Sequence, residues 1–176
     1  MKLSKLSLLL LFSFMSCSEL VKQTDSEYFD QATPQNIEYI QVLFSSNING
    51  ETHPCGCRKF PLGGLPQAAG IIMSERKNGP TIYVDTGDTL FESINIPPFI
   101  MKSATFKAGK IAEAMDMLGL QIFLPGDQDF VLGEKFLVDI AKKAKFKFLI
   151  SNGSNSLKIP HKKQIMFDIA GMKVFF

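Results

Sequence analysis

The chain has 176 residues, room for one domain of roughly 100–150 residues plus a leader or tail. At 45% hydrophobic and 20% charged, with 13 Gly and 9 Pro, it is neither disordered, collagenous nor coiled coil. The net charge of +2 comes from Lys2 and Lys5: residues 1–17 hold no acid, and the other 159 hold 17 basic and 17 acidic side chains. A neutral body excludes a sequence-independent nucleic-acid binder, which needs a basic surplus.

Residues 1–17 read as a secretory signal, with a positive start, an apolar run over 6–14 and a small residue before Cys17. The run is too short for a permanent span, which takes about 20 residues. Phe14-Met15-Ser16-Cys17 resembles a bacterial lipobox, with Phe where Leu is usual. That resemblance implies a lipidated (palmitate-bearing) Cys17 and a membrane-anchored lipoprotein of the bacterial cell envelope, facing periplasm or exterior. A plain secretory signal with an incidental Cys17 is the other reading. Residues 18–36 are polar and suit a tether, leaving 37–176 as the folded domain.

Residues 39–45 (YIQVLFS) predict a strand, with Ile40, Val42 and Phe44 on one face and Leu43 on the other. A loop of about twenty residues follows, a length that usually signals function. Residues 66–77 predict a helix with Ala68, Ala69, Ile72 and Met73 inward, stopped by Asn78-Gly79-Pro80. Residues 81–84 predict a strand running into Asp85-Thr86-Gly87-Asp88. A helix over 103–118 is capped by Gly119, and a strand over 121–124 ends in Pro125-Gly126-Asp127-Gln128-Asp129. A helix over 134–145 precedes a strand over 146–150 and Ser151-Asn152-Gly153. Residues 164–169 and 172–176 form a hairpin, and Phe146, Phe148, Phe175 and Phe176 read as core. This alternation is α/β with crossover helices.

In such sheets sites form at the carboxyl ends of strands. Four polar clusters fall there: Asn47/Asn49, Asp85/Asp88, Asp127/Gln128/Asp129 and Asn152. Converging oxygen ligands suit a divalent cation, whereas Asp85 alone reads as a turn brace and Asp127 or Asp129 as a cap.

The order of GGL, YVDTGDTL, LGL, PGDQDFVLG and FKFLISNGS resembles the N-terminal half of the 5′-nucleotidase branch of the metallophosphoesterases, over residues 38–176. The resemblance implies a metallophosphoesterase-like layered sandwich, a mixed sheet with crossover helices, truncated at the C-terminus. It also implies metal-dependent hydrolysis of a nucleotide or other phosphate ester, with Mn, Zn, Co or Mg as cofactor. Asp88 falls on the bridging metal ligand of that branch and Asp127 on its Asn ligand. Asn47 and Asn49 stand where its first Asp and His belong, and Gln128 stands at the catalytic His. Neutral amides hold divalent ions weakly, and an amide cannot titrate for general acid work. Hydrolysis is therefore expected to be impaired.

His53-Pro54-Cys55-Gly56-Cys57 resembles a Pro-Cys-Gly-Cys variant of the same superfamily, found in exported bacterial proteins, some of them associated with multihaem cytochromes. Its residues leave three alternatives open: a strained or redox-active disulfide, part of a soft-metal site with His53, or free thiols. A non-catalytic thiol or metal binder, or a partner of a redox protein, is thus the competing function.

Overall fold

A chain that alternates strand and helix can lay down its strands in sequence order, and this one does. The computed structural model describes residues 38–54, 56, 63–154, 156–169 and 171–176. Strands β1 (Gln41–Ser45), β2 (Thr81–Asp85), β3 (Ile122–Phe123), β4 (Lys147–Leu149) and β5 (His161–Lys162) lie side by side in that order, all parallel. Helices α1 (Leu65–Asn78), α2 (Met101–Met117) and α3 (Glu134–Lys143) make the first three crossovers.

Right-handed crossovers in a sheet that grows in one direction put every helix on the same face. Ile72, Ile111 and Leu137, one from each helix, accordingly share a core with Tyr83, Phe123 and Phe148. On the other face Ile82, Val84, Ile122 and Leu149 pack against an antiparallel hairpin, β6 (Met166–Ile169) with β7 (Met172–Phe175), through Phe167, Ile169, Val174 and Phe176. The layers are therefore helices, parallel sheet, short antiparallel sheet. This is the expected α/β layered sandwich, with antiparallel pairing confined to the hairpin.

Local chemistry sets the element ends. β2 is buried along four of its five residues, as a central parallel strand requires, and its apolar run reads continuously. α2 ends where Gly119 turns left-handed (φ 69°) and its N–H reaches the Asp116 carbonyl at 3.0 Å. The Asp116 carboxylate then accepts from the N–H groups of Lys145 and Phe146, at 2.8 and 3.3 Å, and so ties the start of β4 to the end of α2. α3 carries Glu134 in its first turn and Lys142 and Lys143 in its last, both favourable to the helix dipole.

Val42 and Phe44 share one face of the edge strand β1, as expected, and are 44% and 76% exposed there, while Leu43 packs on the core. Several expectations are corrected. Met73 and Phe175 are exposed as well; Phe175 points away from the sheet on the outer face of the hairpin. α3 stops at Lys143, with Ala144 already extended. β5 and two 3-10 turns, Pro98–Ile100 and Gln128–Phe130, lack the periodicity that would mark them in the sequence. The leader, the tether, Cys17, Cys55 and Cys57 lie outside the described residues.

Candidate functional site

The polar clusters after β1, β2 and β3 converge at one end of the parallel sheet. Hydrogen bonding between β1 and β2 continues past the strands: the N–H of Asn47 donates to the Gly87 carbonyl (2.9 Å), Asn49 to Asp88 (2.8 Å) and Gly50 to Thr89 (2.9 Å). Asn47, Asn49 and Asp88 all hold left-handed backbone, with φ of 52°, 52° and 56°. Asn and Asp tolerate that region better than other side-chain-bearing residues, so the turns suit this sequence.

Two buried carboxylates hold the turns together. Asp85 accepts from the Ser45 hydroxyl (2.5 Å), the Gly87 N–H (3.0 Å) and the Thr89 hydroxyl (2.7 Å), and Ser45 also bonds the Tyr83 hydroxyl (2.8 Å). Asp129 accepts four backbone N–H groups, from Asp88 (2.9 Å), Thr89 (3.0 Å), Leu90 (2.8 Å) and Gly126 (2.9 Å). Burial pushes both carboxyls above the usual range, against the pull of these donors; the Asp129 charge adds to the rise at Asp85. Asp129 takes two donors on each oxygen and Asp85 three donors in all, and both are wholly buried braces. The turns they brace also touch. A Cβ on Gly87 would lie 2.3 Å from the Gly126 nitrogen, and one on Gly126 would lie 2.2 Å from Asp88 Oδ1.

The ligands anticipated from the sequence surround this brace. The Gln128 N–H is shared between Asp88 Oδ1 and Asp127 Oδ1, at 3.1 Å to each. Asp127 is exposed and caps the 3-10 turn that follows it. The Gln128 side chain crosses to β1's loop, its Nε2 donating to Asn49 Oδ1 at 3.1 Å, and its Oε1 is buried with no partner. Asn152, after β4, is exposed and makes no side-chain hydrogen bond among the described residues. His161 is spent on the Ile159 carbonyl at 2.7 Å.

These donors do not fit a two-metal clamp, which needs several anionic or imidazole ligands on each ion. Among the described residues no three His, Cys, Asp or Glu side chains come together. Three of the five side chains on offer are neutral amides, and Asn49 is already engaged by Gln128. Among the described residues Gln128 Oε1 is the one buried side-chain N or O atom without a hydrogen-bond partner.

A cavity of about 690 Å³ opens beside this end of β1, lined by Asn47, Glu51, His53, Gly64 and Tyr83 among others. His53 is exposed, and its Nδ1 bonds the Thr52 hydroxyl at 2.7 Å. The loop that carries the cysteine segment closes on itself here. Leu65 N–H reaches the Thr52 carbonyl at 3.3 Å, and a Cβ on Gly64 (φ 83°) would lie 2.7 Å from the His53 carbonyl carbon. Gly64 therefore seats the two ends of the loop against each other, beside the first polar cluster.

Sequence reasoning missed the four-donor role of Asp129 and the support of Asp85 by Ser45 and Thr89. The paired turns, Asp-Thr-Gly-Asp-Thr and Pro-Gly-Asp-Gln-Asp, each with a Gly beside an Asp, were the available signal that two turns interlock.

No protein-family profile matches the chain, and no curated protein matches its sequence. In fold it is similar to several solved structures. A putative 5′-nucleotidase from Staphylococcus aureus superposes with a TM-score of 0.63 at 19% identity, over 77% of this chain and 27% of that one. A 5′-nucleotidase precursor from Thermus thermophilus gives 0.59 at 17% identity, over 76% and 27%. A calcineurin-like phosphoesterase from Bacillus subtilis gives 0.55 at 19% identity, over 76% and 45%. The domain is thus similar in fold to 5′-nucleotidases and a calcineurin-like phosphoesterase, and it spans less than half the length of each of these neighbours.

Proposed function

We propose that this chain is an exported lipoprotein of the bacterial envelope, held at the membrane through Cys17, whose metallophosphoesterase-like domain has lost most of its capacity to hydrolyse phosphate esters. The observation that carries the reading is the Gln128–Asn49 amide bridge. It joins the two positions at which the resemblance calls for imidazoles, and beside it the Gln128 backbone N–H is shared between Asp88 and Asp127. Asp88 and Asp127, with Asn47 and Asn49, hold at most one divalent ion, and hold it weakly. A nucleotide or similar phosphate ester is the ligand class that the fold suggests. The test is an assay of the purified chain on nucleotide and aryl phosphate esters with Mn²⁺, Co²⁺ or Zn²⁺, beside an Asp88→Ala control. Turnover at or near that control supports the reading. Turnover well above it, abolished by Asp88→Ala, refutes it.

A second reading rests on the closed base of the 52–65 loop and the cavity beside His53. There Cys55 and Cys57 serve as a dithiol or soft-metal site, toward a metal ion or a redox protein. Thiol titration and metal content of the wild type against Cys55→Ser/Cys57→Ser decide it. Identical metal content, together with wild-type thiols that never oxidise, would remove this reading.

A further inference from the structure

The outward face of α2 carries large apolar side chains where a solvent-facing helix ordinarily carries polar ones. Phe99, Phe106 and Met117 are 86%, 68% and 78% exposed. Phe99 sits in the 3-10 turn that runs straight into α2. The spacings of seven and eleven residues are about two and three helical turns, so the three side chains form one stripe about 27 Å long. The stripe lies opposite the buried Ala108, Ile111, Ala112 and Met115. Ile94, on the loop leading into the helix, is 57% exposed as well.

Cations accompany the stripe. Lys102, Lys110 and Glu113 lie within it, and the Lys110 ammonium stands 5.7 Å from the centre of the Phe106 ring. Lys107 pairs with Glu92 and Lys110 with Glu113. Lys102, and beyond the far end of α2 the exposed Lys142, Lys143 and Lys145, pair with no carboxylate among the described residues. The acids on this side are Glu92, Glu113, Asp116 and Asp139, and of these Asp116 is turned inward onto the Lys145 and Phe146 amides. Exposed aromatics interleaved with lysines on one helical face are the makings of an interfacial helix, its rings in the acyl boundary and its ammonium groups among phosphates.

We propose that this face of α2 rests on an anionic lipid surface, the membrane to which the chain is tethered. The inference rests on the reading of Cys17 as a lipid anchor for its setting, though docking itself is a property of the domain. A domain anchored to a bilayer meets it at a raised effective concentration. Weak apolar and ionic contacts suffice under that condition. Docking through the helix layer leaves the opposite, hairpin-bearing face turned away from the lipid.

The chain contains no Trp, which makes a single introduced indole a site-specific reporter. The full chain is produced without lipidation in two forms, Phe106→Trp on the stripe and Phe44→Trp on the opposite face. Each is mixed with vesicles of phosphatidylglycerol and phosphatidylethanolamine, or of phosphatidylcholine alone, with and without brominated acyl chains. With anionic vesicles the Phe106→Trp emission should shift to the blue and lose roughly half its intensity to the bromines, as expected for a ring at the headgroup–acyl boundary. Phe44→Trp should do neither, and adding Phe99→Ser and Lys102→Glu to Phe106→Trp should abolish the response. Vesicle association through the leader alone would leave the two reporters equal and overturn the proposal. A blue shift that needs no vesicles and grows with protein concentration would overturn it in favour of a second copy of the chain. Mass spectrometry of the mature N-terminal peptide from cells decides lipidation of Cys17 separately, so the two readings can fail independently.

Discussion

Asp88 and Asp127 are coupled through one backbone proton: the Gln128 N–H lies 3.1 Å from a carboxylate oxygen of each. A single N–H is a poor substitute for a divalent cation, because it carries only a fraction of a charge and serves one direction. Two carboxylates that converge on so little positive charge have spare affinity for cations, limited by the neutral side chains around them. Restoring the ionic and imidazole ligands should therefore restore metal. The Asn47→Asp/Asn49→His/Gln128→His variant is expected to bind Mn²⁺ or Zn²⁺ more tightly than the wild type by on the order of ten-fold or more, read by calorimetry. Equal affinity in the two proteins would show that the loop geometry, and not the ligand chemistry, keeps metal out.

Asp129 and Asp85 are both buried carboxylates at the sheet's end, yet their substitution by Asn should have unequal consequences. All four partners of Asp129 are N–H donors, spread over both oxygens. An amide NH₂ there would face donors with a donor, stranding two of them at a cost of about 3 kcal/mol. Asp85 bonds two hydroxyls and one N–H, and Ser45 can reverse its role because the Tyr83 hydroxyl can accept the Ser45 proton in place of the carboxylate. Asp85→Asn should cost less than about 1 kcal/mol. Urea unfolding of the two variants beside the wild type measures the difference, and equal losses would remove the distinction.

The same carboxyls set a pH dependence. Both are raised in the folded protein by burial, so the folded state holds their protons at pH values where the unfolded chain has released them. Their contribution to stability is greatest below the ordinary Asp range near 4 and is lost as pH rises through the folded values. Thermal melts should therefore show a downward contribution to Tm above about pH 4, and Asp85→Asn should flatten it. A slope unchanged by Asp85→Asn would count against a raised carboxyl at that position.

Glycine placement divides along the same lines. Gly126→Ala puts a methyl 2.2 Å from Asp88 Oδ1 and 2.7 Å from its backbone nitrogen, and Gly87→Ala adds a left-handed φ of 95° to a 2.3 Å clash with backbone. Neither turn can give way without opening the Asp129 brace, so each variant should lose about 3 kcal/mol or fail to accumulate. Gly109, in α2, has nothing within 4 Å of its would-be Cβ, and Gly109→Ala should gain about 0.5–1 kcal/mol. Circular-dichroism melts of the purified variants separate the three.

Much of this could be read from the residues. The parallel order followed from strands alternating with helices, and the convergence of Asn47, Asp88 and Asp127 followed from polar residues placed just after each strand. What escaped was what depends on neighbours distant in sequence. Asp127 and Asp129 look alike in the chain, and only the approach of the Gly87 and Gly126 turns makes one a surface cap and the other a buried brace. The alternation of Ile40, Val42 and Phe44 gave their shared face correctly, but no pattern within β1 tells whether anything covers that face.

That uncovered face carries the last prediction. Phe44 and Val42 pair in register with Val84 and Ile82, so they share the sheet face that the β6–β7 hairpin covers farther along. At β1 the hairpin no longer reaches, and Phe44 is left 76% exposed on an edge strand whose outer backbone groups have no strand partner among the described residues. An apolar edge of this kind promotes association between sheets. Phe44→Lys should lower light scattering and the fraction of oligomer at high protein concentration, with Tm changed by no more than about 2 °C, since the ring makes little contact in the monomer. If Phe44→Lys instead unfolded the domain, the face would have to be covered in solution, and the exposed ring would be part of a core completed by another segment or chain.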